Sequence, residues 1–122
     1  MSSFEYLDLE DLLQLVRMLR IGPVRDIGLL DSAAARPRSS AFGEDAYPSI
    51  RLKAAALLQS ITNNHALVDG NKRLAWLATT VFLDLNGLGP ELSDEDAFNL
   101  VWEVAGSSVD VEAIALKLRI AV

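Results

Sequence analysis

Asn71-Lys72-Arg73-Leu74-Ala75-Trp76-Leu77-Ala78-Thr79-Thr80-Val81-Phe82-Leu83-Asp84-Leu85 is a stretch apolar on nearly every face of a helix, and its reading decides the fold. A surface helix keeps a polar side, whereas one apolar nearly all round is enclosed by others. The stretch therefore predicts a central, buried helix, stopped by Asn86-Gly87, a pair suited to helix C-termini. Immediately upstream, Leu52, Ala55, Ala56, Leu57 and Ile61 predict a long helix from about Ser49 to Asn63, whose alanines permit a close neighbour. A short polar break, Asn63 to Gly70, separates the two.

Further out the helical periodicity continues. Leu9, Leu12, Leu13, Val16 and Leu19 predict a first helix with Asp8 as N-cap and Gly22-Pro23 as stop. A weaker helix is expected from about Asp26 to Ala35. Arg36 to Pro48 holds two prolines, a glycine and two serines and reads as loop. Its length is near the upper end for a compact domain, which points to a functional flap. Downstream, Gly87 to Glu91 reads as a turn with a brief extended piece. Ser93 with Asp96 resembles a capping box opening a helix from Asp94 to about Ala105. Ser107 or Ser108 is expected to cap a last helix, about Val109 to Arg119. Trp76 and Trp102 lie in apolar helical patterns and are expected in the core, while Arg25, Arg36 and Arg38 are expected on a solvated face. The fold class is thus all-α, with about six helices in a single domain over residues 1–122.

Composition narrows the function. With 122 residues and 51% apolar content, one hydrophobic core is affordable at this length. The charged fraction of 23% is ordinary for a globular chain. The absence of cysteine excludes disulfides and thiolate metal sites. A net charge of -6 argues against a nucleic-acid binder, whose affinity rests on phosphate neutralisation. Met1-Ser2-Ser3-Phe4-Glu5 lacks the regions of a signal peptide, and no apolar run has the length of a membrane span, so a cytoplasmic protein is expected.

The unusual chemistry lies in the break before the central helix. His65 is the single histidine, followed by Asp69, Gly70, Asn71, Lys72 and Arg73. Two cations open a helix whose N-terminus already carries partial positive charge, an unfavourable arrangement unless an anion sits there. Free backbone N–H groups, the dipole, Lys72 and Arg73 would then converge on phosphate groups. Gly70 permits a tight turn and close ligand approach. Asp69 suits Mg²⁺, which commonly binds through one carboxylate plus substrate phosphates. Asn71 offers an amide donor to a phosphate oxygen. Histidine is the side chain that exchanges protons near neutrality, so His65 is the candidate to accept a proton from an attacking hydroxyl. Phosphoryl transfer needs positioning, charge neutralisation and such a base. Taken singly, each residue has a plainer reading: a surface histidine, an Asp-Gly turn, a solvated first turn. Their combination ahead of the most apolar helix favours the chemical one.

His65-Ala66-Leu67-Val68-Asp69-Gly70-Asn71-Lys72-Arg73 resembles the signature of the Fic/Doc family. That signature reads His, any residue, Phe, any residue, Asp or Asn, Ala or Gly, Asn, Gly or Lys, Arg. Of its seven specified positions this chain satisfies six, Leu67 standing where the family has Phe as an apolar anchor. The layout, with the signature between two long helices, extends the resemblance to most of the chain and implies a compact Fic/Doc-type bundle whose motif loop leads into the central helix.

Fic adenylyltransferases carry Gly at the eighth position and a second Arg three residues after the first, where this chain has Lys72 and Trp76. Both departures resemble the Doc branch, which implies a toxin of a toxin–antitoxin module. Such a toxin is a kinase placing the γ-phosphate of ATP on a threonine of elongation factor Tu, which halts translation. The resemblance implies His65 as general base, Asp69 as Mg²⁺ ligand, and Gly70, Asn71, Lys72 and Arg73 around the nucleotide. The chain shows no inhibitory motif of the Ser/Thr-x-x-x-Glu-Gly/Asn kind. It implies instead a Phd-like antitoxin whose C-terminal segment folds into a surface groove around the first helix and Asp26–Arg38. The alternatives are AMP transfer and an inactive, antitoxin-binding relative.

Overall fold

The computed structural model describes residues 3–121; Met1, Ser2 and Val122, and with the first two part of the N-terminal reading, lie outside the described residues. Six α-helices follow one another: α1 Leu9–Leu19, α2 Ile27–Ala35, α3 Ile50–Asn64, α4 Asn71–Leu85, α5 Asp94–Gly106 and α6 Val111–Lys117.

Local chemistry starts most of them where expected. Asp8 accepts from the Asp11 N–H at 2.9 Å while the Asp11 carboxylate accepts from the Asp8 N–H at 2.9 Å, a reciprocal cap. Asp26, Ser49 and Ser93 cap α2, α3 and α5 through their side chains. α1 ends at Leu19 as its pattern predicts, with Arg20 in the left-handed conformation just ahead of Gly22-Pro23. One boundary differs from the sequence expectation. α6 is capped by Asp110, which accepts from the Ala113 N–H at 2.8 Å, rather than by Ser107 or Ser108. Ser107 instead closes α5, its hydroxyl donating to the Glu103 carbonyl at 2.9 Å. A carboxylate three residues on simply outcompetes a hydroxyl already engaged.

α3 and α4 form the heart of the bundle. Ala54, Ala55 and Ala56 of α3 and Ala75 and Ala78 of α4 are fully buried, and their small side chains let the two backbones approach. α4 buries Leu74, Phe82 and Leu83 as its composition predicts. α3 is the more enclosed of the pair, touching α2, α4, α5 and α6. The turn after α4 does contain an extended piece: Pro90 bridges Ile120, and the Glu91 N–H donates to the Arg119 carbonyl at 2.9 Å.

The stretch from Arg36 to Pro48 is more ordered than a loop. A 3-10 turn, Arg36–Arg38, leads into a hairpin of β1 Ser40–Ala41 and β2 Glu44–Asp45, paired antiparallel as Ser40 with Asp45 and Ala41 with Glu44. Its tip residues, Phe42 and Gly43, both have positive φ, the backbone that matches a two-residue hairpin turn to the strand twist. Lys53 of α3, 0% exposed, anchors it. The Lys53 Nζ lies 3.3 Å from an Asp45 carboxylate oxygen and 3.2 Å from the Pro37 carbonyl, beneath the rings of Phe4 and Tyr6. Arg36 is a correction to the solvated-face expectation. It is half-buried, donating to the Tyr47 hydroxyl at 2.9 Å, Gln59 Oε1 at 2.7 Å and Ser60 Oγ at 2.9 Å. Planar guanidinium with several donors can join two elements in this way, which a linear pattern does not reveal.

Candidate active site at the start of α4

The break between α3 and α4 is a built loop. α3 ends at His65, which takes φ 52° and ψ 45°, a left-handed backbone in which histidine is among the better-tolerated side chains. α4 begins after Gly70 at φ 95°. A Cβ there would sit 2.6 Å from the Cβ of Ile21, so the position admits neither a side chain nor an ordinary backbone. Between them Ala66 and Leu67 are buried, and Leu67, 2% exposed, is the apolar anchor that the sequence assigned to that position.

A strap of residues 21–26 holds this loop from outside. The Gly22 N–H donates to the Asp69 carbonyl at 3.1 Å, and the N–H groups of Arg25 and Asp26 donate to the Ala66 carbonyl at 2.7 and 3.0 Å. The Val68 N–H donates to the Pro23 carbonyl at 2.9 Å. Arg25 is exposed, as expected of a solvated face, and its side chain also supports the motif by donating from Nε to the His65 carbonyl at 3.0 Å. Asn71 braces the loop from inside, its side-chain oxygen accepting from the Leu67 N–H at 3.0 Å and its amide donating to the Leu67 carbonyl at 2.9 Å. One amide hydrogen of Asn71 stays available beyond that brace.

His65, Asp69, Gly70, Asn71, Lys72 and Arg73 all border one cavity of about 870 Å³ between the start of α4 and the wall of α5. The residues singled out from sequence are thus brought together. α4 is the one helix among those described with no side-chain cap and no acidic residue in its first turn, whereas the other five are capped by Asp or Ser. Among the described residues neither Lys72 nor Arg73 forms a salt bridge. Unpaired backbone N–H groups and two uncompensated cations therefore share an open cavity, an arrangement that favours an anion. Asp69 is exposed at the same cavity and pairs with no cation among the described residues. No group of three or more His, Cys, Asp and Glu side chains able to cage a metal occurs among them. One free carboxylate is a donor set that Mg²⁺ would accept only with phosphates completing its coordination.

Sequence reasoning missed three features. Trp102 is not core: it is 53% exposed and borders the cavity. Trp76 is half-buried and borders it too, packing against the core from the side. Both sit in apolar periodicity, which cannot separate a core wall from a cavity wall. Thr62, one turn before His65, is 1% exposed and borders the cavity, and its hydroxyl has no hydrogen-bond partner among the described residues. A buried hydroxyl without a protein partner is costly, and its place here fits a cavity that takes a polar guest. The hairpin that the loop length marked as a flap does not border the cavity in this structure. Its anchor, Lys53, lies twelve residues before His65 on α3, about 18 Å at the helical rise.

The sequence profile of the Fic/DOC family matches residues 6–83, a span that takes in α1 through most of α4. The toxin Doc of Mycolicibacterium smegmatis (strain ATCC 700084 / mc(2)155) is 50% identical over 118 residues, covering 93% of this chain and 91% of that protein. With the signature folded into one strapped loop between α3 and α4, and with similarity running across nearly the whole length, the chain belongs to the Fic/DOC family.

Proposed function

We propose that the chain is a Doc-type toxin that acts as a kinase, moving the γ-phosphate of ATP to a threonine hydroxyl of elongation factor Tu. The observation that carries the reading is the uncapped, carboxylate-free start of α4, where Lys72 and Arg73 share a cavity with His65 and Asp69. The similarity to a protein named toxin Doc supports the same branch of the family.

In this reading the triphosphate lies across the first turn of α4, met by its N–H groups, Lys72 and Arg73. Gly70 makes the tight turn against Ile21 that only a glycine fits there, and Asn71 keeps the loop in shape. His65 accepts the proton of the threonine hydroxyl. The freed oxygen bonds to the γ-phosphorus as the bond to the bridging oxygen breaks, and ADP leaves. Asp69 would hold Mg²⁺, which offsets phosphate charge during transfer. His65 is exposed, so a protein side chain can reach it.

Control would come from a Phd-like antitoxin whose C-terminal segment lies in a groove along α1 and α2. Met18 on α1 and Ile27 on α2 are exposed apolar residues on those elements, and an amphipathic segment seeks such anchors. No helix among the described residues is long and apolar enough to cross a membrane.

Labelled ATP tests the activity. With purified elongation factor Tu, γ-labelled ATP is expected to mark the target and α-labelled ATP is not. Label from the α position would assign AMP transfer instead, and no label from either, with antitoxin binding retained, would assign an inactive binding protein.

A further inference from the structure

The Lys72 ammonium lies 4.4 Å from the centroid of the Trp102 ring. Trp102 stands on α5, whose buried face is made by Ala97, Leu100, Val101 and Val104, so core packing does not account for it. Phe98, one turn earlier and also exposed, lies beside it with ring centroids 5.8 Å apart and planes tilted by 42°. Both aromatic residues border the same cavity as Lys72. Trp102 lies outside residues 6–83, the span matched by the family profile.

We propose that Trp102 is a positioning residue that holds the Lys72 ammonium at the cavity, ready for a phosphate of a bound polyphosphate. The inference rests on the phosphate-site reading above. The reason is electrostatic. The start of α4 and Arg73 both repel a second cation, and no carboxylate pairs with Lys72 among the described residues. A lysine in that field turns outward to water unless something holds it. The negative face of an indole does so without neutralising the charge, as a carboxylate would. An ammonium carries three donors, so one side can rest on the ring while the other meets phosphate oxygens. Phe98 limits the ring's movement. The ammonium also covers the ring face it rests on, so that face is closed to a stacked nucleobase.

Calorimetric titration with two probes, magnesium ATP and inorganic tripolyphosphate, tests this on wild type, Trp102→Leu, Trp102→Phe, Lys72→Ala and the Lys72→Ala/Trp102→Leu double variant. Pre-ordering one long side chain predicts that Trp102→Leu weakens both probes by about threefold to tenfold. Trp102→Phe should recover part of the loss, and Trp102→Leu should add nothing in the Lys72→Ala background. Thermal melts, expected to shift by no more than a few degrees for this exposed site, separate binding from folding. Three results would overturn the proposal: a loss confined to ATP, which assigns base stacking; a full loss persisting without Lys72; or tighter binding, which means the ring draws the lysine away. Wild type binding neither probe would sink the phosphate-site reading itself, an outcome distinct from those three.

Discussion

The side-chain amide of Asn71 grips the backbone of Leu67 from both sides, accepting from its N–H at 3.0 Å and donating to its carbonyl at 2.9 Å. The first residue of α4 thereby fixes the residue at the centre of the loop before it, and the anchored Leu67 fixes where Asp69 and Gly70 emerge. Asn71→Ala leaves a buried peptide group without partners, and about 1–3 kcal/mol of stability should be lost. Urea unfolding measures this. Asn71→Asp keeps the acceptor and loses the donor, so it should fall between wild type and Asn71→Ala. A variant as stable as wild type would mean the brace carries no load.

Gly70 meets two separate constraints, a positive φ and the side chain of Ile21. Gly70→Ala should cost about 1–3 kcal/mol from backbone strain, with the steric clash in addition. Removing the obstacle in a Gly70→Ala/Ile21→Ala double variant should cancel the clash and leave the strain. A double-mutant cycle in denaturant reads the coupling. Simple additivity would show that Ile21 is not what excludes a side chain there.

Lys53 and Asp45 should respond unequally. Lys53→Met replaces a buried ammonium by an apolar side chain of similar length, and such swaps run from neutral to stabilising. Asp45→Ala leaves the same ammonium buried without its counter-charge beside the Phe4 and Tyr6 rings, and should cost more, about 2 kcal/mol, moderated because Asp45 is half exposed. Melting temperatures of both variants decide it. Equal losses would mean that packing, not charge, dominates at Lys53.

His65 allows function to be separated from fold. Its left-handed backbone would strain alanine, whereas asparagine tolerates that conformation. His65→Asn should therefore stay within about 0.5 kcal/mol of wild type in stability, as expected of an exposed site. Removing the base should slow phosphate transfer by at least about 100-fold in the labelling assay. Retained transfer would remove His65 from the chemistry.

The capping residues Asp8, Asp26, Ser49 and Ser93 act on neighbours three residues away, and the apolar run of α4 acts within fifteen residues, so helix positions were legible from the chain alone. The motif was legible for the same reason, since His65 through Arg73 are contiguous. The roles of Lys53, Arg36 and Trp102 were not. Each depends on a partner far away in sequence: Lys53 on the Phe4 and Tyr6 rings, Arg36 on Gln59 and Ser60, Trp102 on Lys72.

Helical periodicity states that a side chain lies on the apolar side of its helix, and it cannot state whether that side faces packed core or a cavity. Local hydrogen bonding and hydrophobic patterning, both short-range in sequence, therefore determined the helices and the cationic start of α4. Only the packing of α5 against α4 decided that Trp102 faces Lys72. The strap of residues 21–26 and the Asn71 brace set the loop shape in which the contiguous residues His65, Asp69, Lys72 and Arg73 border one cavity, and the strap's contacts, like that of Trp102, arise from how elements pack and not from the order of residues within them.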